Sequence, residues 1–160
     1  MASLPQLVEE DVLKLEEELR GLLAQSEATT ALLIDTGGFL IGSSGDAGQF
    51  DLTTIAALAA GAFMANQTIA GLVSEPHFNS LYQQGEQFSL FVLAVDEQAL
   101  LVVIFQAHLG VGLVKYYAQP AAMRISRQLQ IAHARNPDAS LDLSELNLAD
   151  PRGLFRKKAG

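Results

Sequence analysis

Three histidines, His77, His108 and His133, are by type the residues best suited to move a proton or hold a metal. His77 and His108 fall in loops and His133 on a helix surface. No Asp or Glu stands near them at HExxH or related spacing, which would put ligands on one helical face. Serines are plentiful, yet none occupies a G-x-S-x-G turn after a strand, where a nucleophile would be held exposed. Gly42 to Gly48 lacks the lysine and the register of a phosphate-binding P-loop. Gly37 and Gly38 read as turn residues needing φ > 0, and Asp96-Glu97 reads as a solvated hairpin tip. The chain has no cysteine, so disulfides, zinc-thiolate sites and thiol catalysis are excluded. The expectation is a chain with no catalytic residues, no metal and no cofactor.

The elements that position these residues follow from hydrophobic period. Val8, Val12, Leu15, Leu19, Leu22 and Leu23 recur at helical spacing, with Glu9, Glu10, Asp11 and Glu16 to Glu18 on the other faces. This predicts a first helix over about 6–25. Ala31 to Ile34 and Phe39 to Ile41 flank Asp35-Thr-Gly-Gly38 and read as a β-hairpin. A second helix is expected from about 52 to 74, with Asp51, Thr53 or Thr54 as its cap. Ser80–Gln84, Ser89–Val95 and Ala99–Phe105 read as strands, the last two as a hairpin. Helical period returns from Leu109 through Ala132, and Pro120 within that run is expected to kink the helix or shift its start. The predicted order is α-β-β-α-β-β-β-α over 1–136, followed by a tail, 137–160.

At 160 residues, 49% of them hydrophobic, the chain has the size and composition of one globular domain with its own core. The acidic, amphipathic beginning does not resemble a signal peptide. The longest apolar run, Ile55–Ala65, is 11 residues and shorter than a bilayer requires. A soluble, cytoplasmic protein is expected. Net charge is −8, but its distribution says more: no Lys or Arg occurs from Thr29 to Val114, where seven acids do. Nucleic acids and phosphorylated ligands would find no cations there.

The second helix carries no charge from Leu52 to Ser74, unusual for a helix with one face in water. Ile55, Leu58, Ala62, Ile69, Leu72 and Val73 form a bulky stripe. Ala57, Ala60, Gly61, Met64, Ala65, Thr68 and Gly71 form a stripe of small residues, which lets another backbone come close. That second stripe is the candidate partner-binding surface. In the tail, Leu154, Phe155, Arg156, Lys157 and Lys158 are a candidate further contact.

This order of elements resembles the Roadblock family of dynein light-chain-type domains. The resemblance rests on Ala31-Leu-Leu-Ile-Asp-Thr-Gly-Gly38, Leu52-Thr-Thr-Ile-Ala-Ala-Leu-Ala-Ala-Gly61, and Leu100-Leu-Val-Val-Ile-Phe105 followed by Leu109-Gly-Val-Gly-Leu-Val114. It covers about residues 8–134. That last pair, together with the acidic first helix and a tail ending near Leu154-Phe155, looks most like the bacterial MglB branch. The resemblance implies an α/β fold with a five-stranded, mostly antiparallel sheet between helices, and a homodimer with joined sheets and paired second helices. It also implies a partner, a Ras-like small GTPase of the MglA type, whose hydrolysis the dimer stimulates in the control of polarity or motility. By position, Ala60, Met64, Ala65 and Thr68 would face that GTPase. Met64 and Thr68 are bulkier than the family's usual residues there, and Pro120 departs from its unbroken last helix.

Many activators of such GTPases insert an arginine into the phosphoryl-transfer site. With no Arg between Arg20 and Arg124, the second helix has none to offer. The expected mechanism is positioning of the GTPase's own groups. A Roadblock scaffold without stimulating activity is the alternative. A small-molecule sensor domain is a second, and it would need polar residues converging in the core.

Overall fold

The computed structural model describes residues 4–45 and 48–137. Its elements are α1 (Glu9–Ser26), β1 (Thr30–Asp35), β2 (Leu40–Ser44), α2 (Leu52–Leu72), β3 (Ser80–Gln83), β4 (Phe88–Ala94), β5 (Ala99–Gln106) and α3 (Val111–Arg135). The strands form one sheet in the order β2-β1-β5-β4-β3, with every neighbouring pair antiparallel.

β5 is the central strand, and its sequence, ALLVVIFQ, is nearly all apolar because both faces of the sheet are covered. Val102 stands between Leu32 of β1 and Val92 of β4, a row fully buried beneath α2. One residue on, Val103 stands between Ala31 and Phe91 on the opposite face. There α1 contributes Leu15, Leu19 and Leu22, and α3 contributes Val114, Ala118, Ala121, Ile125 and Leu129. Two helices therefore cover one face of the sheet and a single helix covers the other.

The β1–β2 turn is tighter than a generic Gly-Gly loop. Asp35 accepts a hydrogen bond from the Phe39 N–H through Oδ1 (2.8 Å), and its carbonyl accepts from Gly38 (3.0 Å). Of the two turn glycines only Gly38 has positive φ (+96°), so the expectation fails for Gly37. A Cβ at Gly38 would lie 2.9 Å from Cα of Ala57, which seats the turn against α2.

Two further expectations are corrected. α3 is one continuous helix from Val111 with Pro120 inside it, so Pro120 does not shift its start. The missing Pro120 N–H deprives the Tyr116 carbonyl of its helical partner, and both residues are exposed, so water can hydrate that carbonyl. The second correction concerns membrane length. α2 is 21 residues long and, by length and composition alone, apolar enough to cross a bilayer. Counting only the uninterrupted apolar run missed this, because Thr, Asn and Gln interrupt the run without adding charge. In this fold α2 lies on the sheet, with Ala56, Ala59, Ala60 and Phe63 packed in the core beneath it.

A candidate docking face on the second helix

α2 begins at an N-cap that the sequence specifies. Asp51 accepts from the Thr54 N–H (3.1 Å) and from its hydroxyl (2.7 Å). These bonds hold the Asp51 carboxyl below its ordinary range. At the other end, Gln67 fixes the segment that follows the helix. Its Nε2 donates to the Phe78 carbonyl (2.7 Å) and its Oε1 accepts from the Phe78 N–H (3.0 Å). The helix is therefore held at its start, by the β1–β2 turn, and near its end.

The sheet-facing side of α2 is Ala56, Ala59, Ala60, Phe63 and Ala70. Ala60, expected on the partner surface, is only 3% exposed and packs against the chain's own sheet. The other six candidates, Ala57, Gly61, Met64, Ala65, Thr68 and Gly71, are all exposed. The bulky stripe also divides differently from the expectation: Leu58, Ile69, Leu72 and Val73 are exposed. The reason is Phe63, which belonged to neither stripe. In an alanine-rich helix the largest apolar side chain gains most from burial and sets which side turns inward. The five tail candidates, Leu154, Phe155, Arg156, Lys157 and Lys158, lie outside the described residues.

On a 3.6-residue period, Gly61, Ala65 and Thr68 occupy the middle of the outward side. Leu58 and Ile69 stand along one flank and Met64 along the other, with Leu72 in the middle between the Gly61 and Ala65 positions. Leu72 is 81% exposed and Leu58 69%. Among the described residues nothing requires a glycine at 61, since an added Cβ would meet no atom within 4 Å. A mid-helix glycine costs about 0.5–1 kcal/mol relative to alanine. This surface therefore gives up helix stability for a flatness its own fold does not use.

Its electrostatics are as one-sided as its packing. Among the described residues all Lys and Arg side chains belong to α1 and α3, on the far side of the sheet. There Arg124 pairs with Glu18 (2.7 Å) and Arg135 with Asp11 (2.7 Å). Beside α2 an open groove of about 630 Å³ is lined by Phe63, Met64, Gln67, Phe78, Val95 and Glu97, among others. Among the described residues, no group of three or more His, Asp or Glu is placed to hold a metal.

The order of strands, the helix on each side and the uncharged α2 surface together define a recognisable domain, and a family model for the Roadblock/LC7 domain matches residues 14–105. The chain belongs to the Roadblock/LC7 family. Its α-β-β-α-β-β-β-α order and five-stranded sheet are those of the Roadblock fold. Among solved structures it is similar to MglB of Myxococcus xanthus, at 28% identity and a TM-score of 0.73, over 79% of this chain and 95% of that one. The gliding protein MglB of Thermus thermophilus is 30% identical with a TM-score of 0.75, over 82% of this chain and 99% of that one. An MglB with a tetrameric arrangement gives 30% identity and a TM-score of 0.76 over the same shares. No curated protein matches the chain by sequence. The Roadblock domain here is thus MglB-like along almost the whole length of those relatives.

Proposed function

We propose that this MglB-like Roadblock chain is a cytoplasmic, homodimeric regulator of a Ras-like small GTPase of the MglA type. It has no active site of its own and acts on the partner's hydrolysis, in the control of polarity or motility. The observation that carries this reading is the outward side of α2: uncharged over 21 residues, with exposed Leu58, Ile69 and Leu72 along a glycine-centred strip. An exposed apolar strip of this kind gains its stabilisation when a second molecule covers it.

The mechanism follows from where the cations are. Among the described residues no arginine lies on the α2 side, and Arg124 and Arg135 are paired within the α1–α3 layer. The dimer therefore stimulates hydrolysis by holding the GTPase's own catalytic groups and water in a productive arrangement, a contribution of position and fixed dipoles. The same distribution is compatible with a Roadblock scaffold that binds without stimulating.

Turnover separates the two. The purified chain is mixed with each Ras-like GTPase from the same genome, and phosphate release is followed together with complex formation. Faster release from one GTPase supports the activator. Binding without acceleration supports the scaffold. Absence of binding to all of them overturns both.

A further inference from the structure

We propose that the groove beside the C-terminal half of α2 holds the chain's own terminal segment, Arg152 to Lys158. The groove is lined by apolar side chains, Phe63, Phe78, Val95 and Leu100, together with the carboxylates Asp96 and Glu97. Among the described residues no Lys or Arg lines it, and none occurs between Thr29 and Val114. The segment Arg152-Gly-Leu-Phe-Arg-Lys-Lys158 is the reciprocal: four of the chain's ten cations around a Leu-Phe pair. Residues 138 to 151 carry four acids, Asp138, Asp142, Glu145 and Asp150, and no cation. An acidic groove repels that stretch and attracts the end beyond it.

The path is short enough. α3 ends at Arg135, whose guanidinium is bonded to Asp11 in the first turn of α1. Gln130 in the last turns of α3 shares the lining of a neighbouring groove with Val95, which also lines the acidic groove. The chain thus leaves the fold at the end of the sheet where the acidic groove opens. Passing from the α3 layer to the α2 layer means crossing about two helix diameters, roughly 25 Å. The 14 residues between Pro137 and Arg152 reach about 45 Å when extended. Docked there, the segment covers Met64, which stands at the edge of the outward side of α2.

The absence of cysteine gives a direct test. A nitroxide is attached to Ala159→Cys in the full-length chain, with no GTPase present, and amide signal losses are mapped. The expected result is loss of most of the intensity at Phe78, Val95, Glu97 and Leu100. That loss should vanish in Lys157→Glu/Lys158→Glu and return when Glu97→Lys is added. Broadening centred on Tyr116 and Met123 of α3 overturns the proposal, as does none at all, or broadening indifferent to the charge reversals. So does broadening that appears only between different copies, tested by mixing spin-labelled unenriched chains with unlabelled 15N chains. Because no GTPase is used, failure here leaves the proposed function standing.

Discussion

Asp11 and Arg135, 124 residues apart in sequence, meet through two hydrogen bonds of 2.7 and 3.0 Å that lock the first turn of α1 to the last turn of α3. The carboxylate is fully buried, and it also accepts from Gln128 Nε2 (2.7 Å) and the Val8 N–H (2.8 Å). Removing it strands buried donors. Asp11→Ala should lower unfolding stability by about 2–3 kcal/mol. Arg135→Ala should cost less, because the guanidinium side is partly solvated. Urea unfolding with an unchanged slope is the check.

The same pair sets a pH dependence. Burial pushes the Asp11 carboxyl up, but Arg135, the Val8 N–H and Gln128 together hold it below its ordinary value of 3.8. The folded state therefore binds this proton less readily than the unfolded one. Its contribution should be complete above about pH 4 and be lost as pH falls through the lowered folded-state value. In Asp11→Asn that part of the acid loss should disappear, which a comparison of unfolding midpoints between neutral and acid pH would show.

Phe63 anchors α2, so Phe63→Ala should be the costliest single change on that helix, about 3–5 kcal/mol. Leu58→Ala should cost little in a dilute monomer, since Leu58 is 69% exposed. If dilute-chain unfolding ranks the two in the opposite order, the assignment of inward and outward sides is wrong.

Thr68→Arg places a charge in the middle of the outward strip. It should leave the circular dichroism spectrum unchanged and abolish GTPase binding in a pull-down, because an unpaired charge buried at an interface costs several kcal/mol. Gly61→Ala is the gentler companion: helix content holds or rises, while self-association, followed by sedimentation over a range of concentrations, weakens.

For the mechanism, Arg124, Arg127, Arg152 and Arg156 are each changed to alanine. Stimulated phosphate release should be largely retained in every case. A loss of about a thousandfold in any one would identify an inserted arginine and refute activation by positioning.

Most of the architecture was legible because each element has one dominant period. β5 reads as a buried strand from its apolar run, and the Asp96-Glu-Gln98 turn before it is marked by polarity. The structure adds that Asp96 is more than solvated: its Oδ1 accepts from the N–H groups of Gln98 and Ala99. α2 was harder to read. When nearly every residue is apolar or small, no polar face breaks the symmetry of the helix. Its inward side had to come from side-chain size, and Ala60 was misplaced on that account. The Asp11–Arg135 pair and the Gln67–Phe78 bonds depend on tertiary placement, which no local spacing encodes.

The unequal cover on the two sides of the sheet has an evolutionary consequence. A damaging change at the α1–α3 layer meets neighbours from the same chain, so a second change in the same gene can compensate for it. On the α2 side the proposed neighbour is another copy or another protein. There a change must suit its own mirror image or wait for an answering change in a different gene, so sequence drift on that side should be slower and matched between partners.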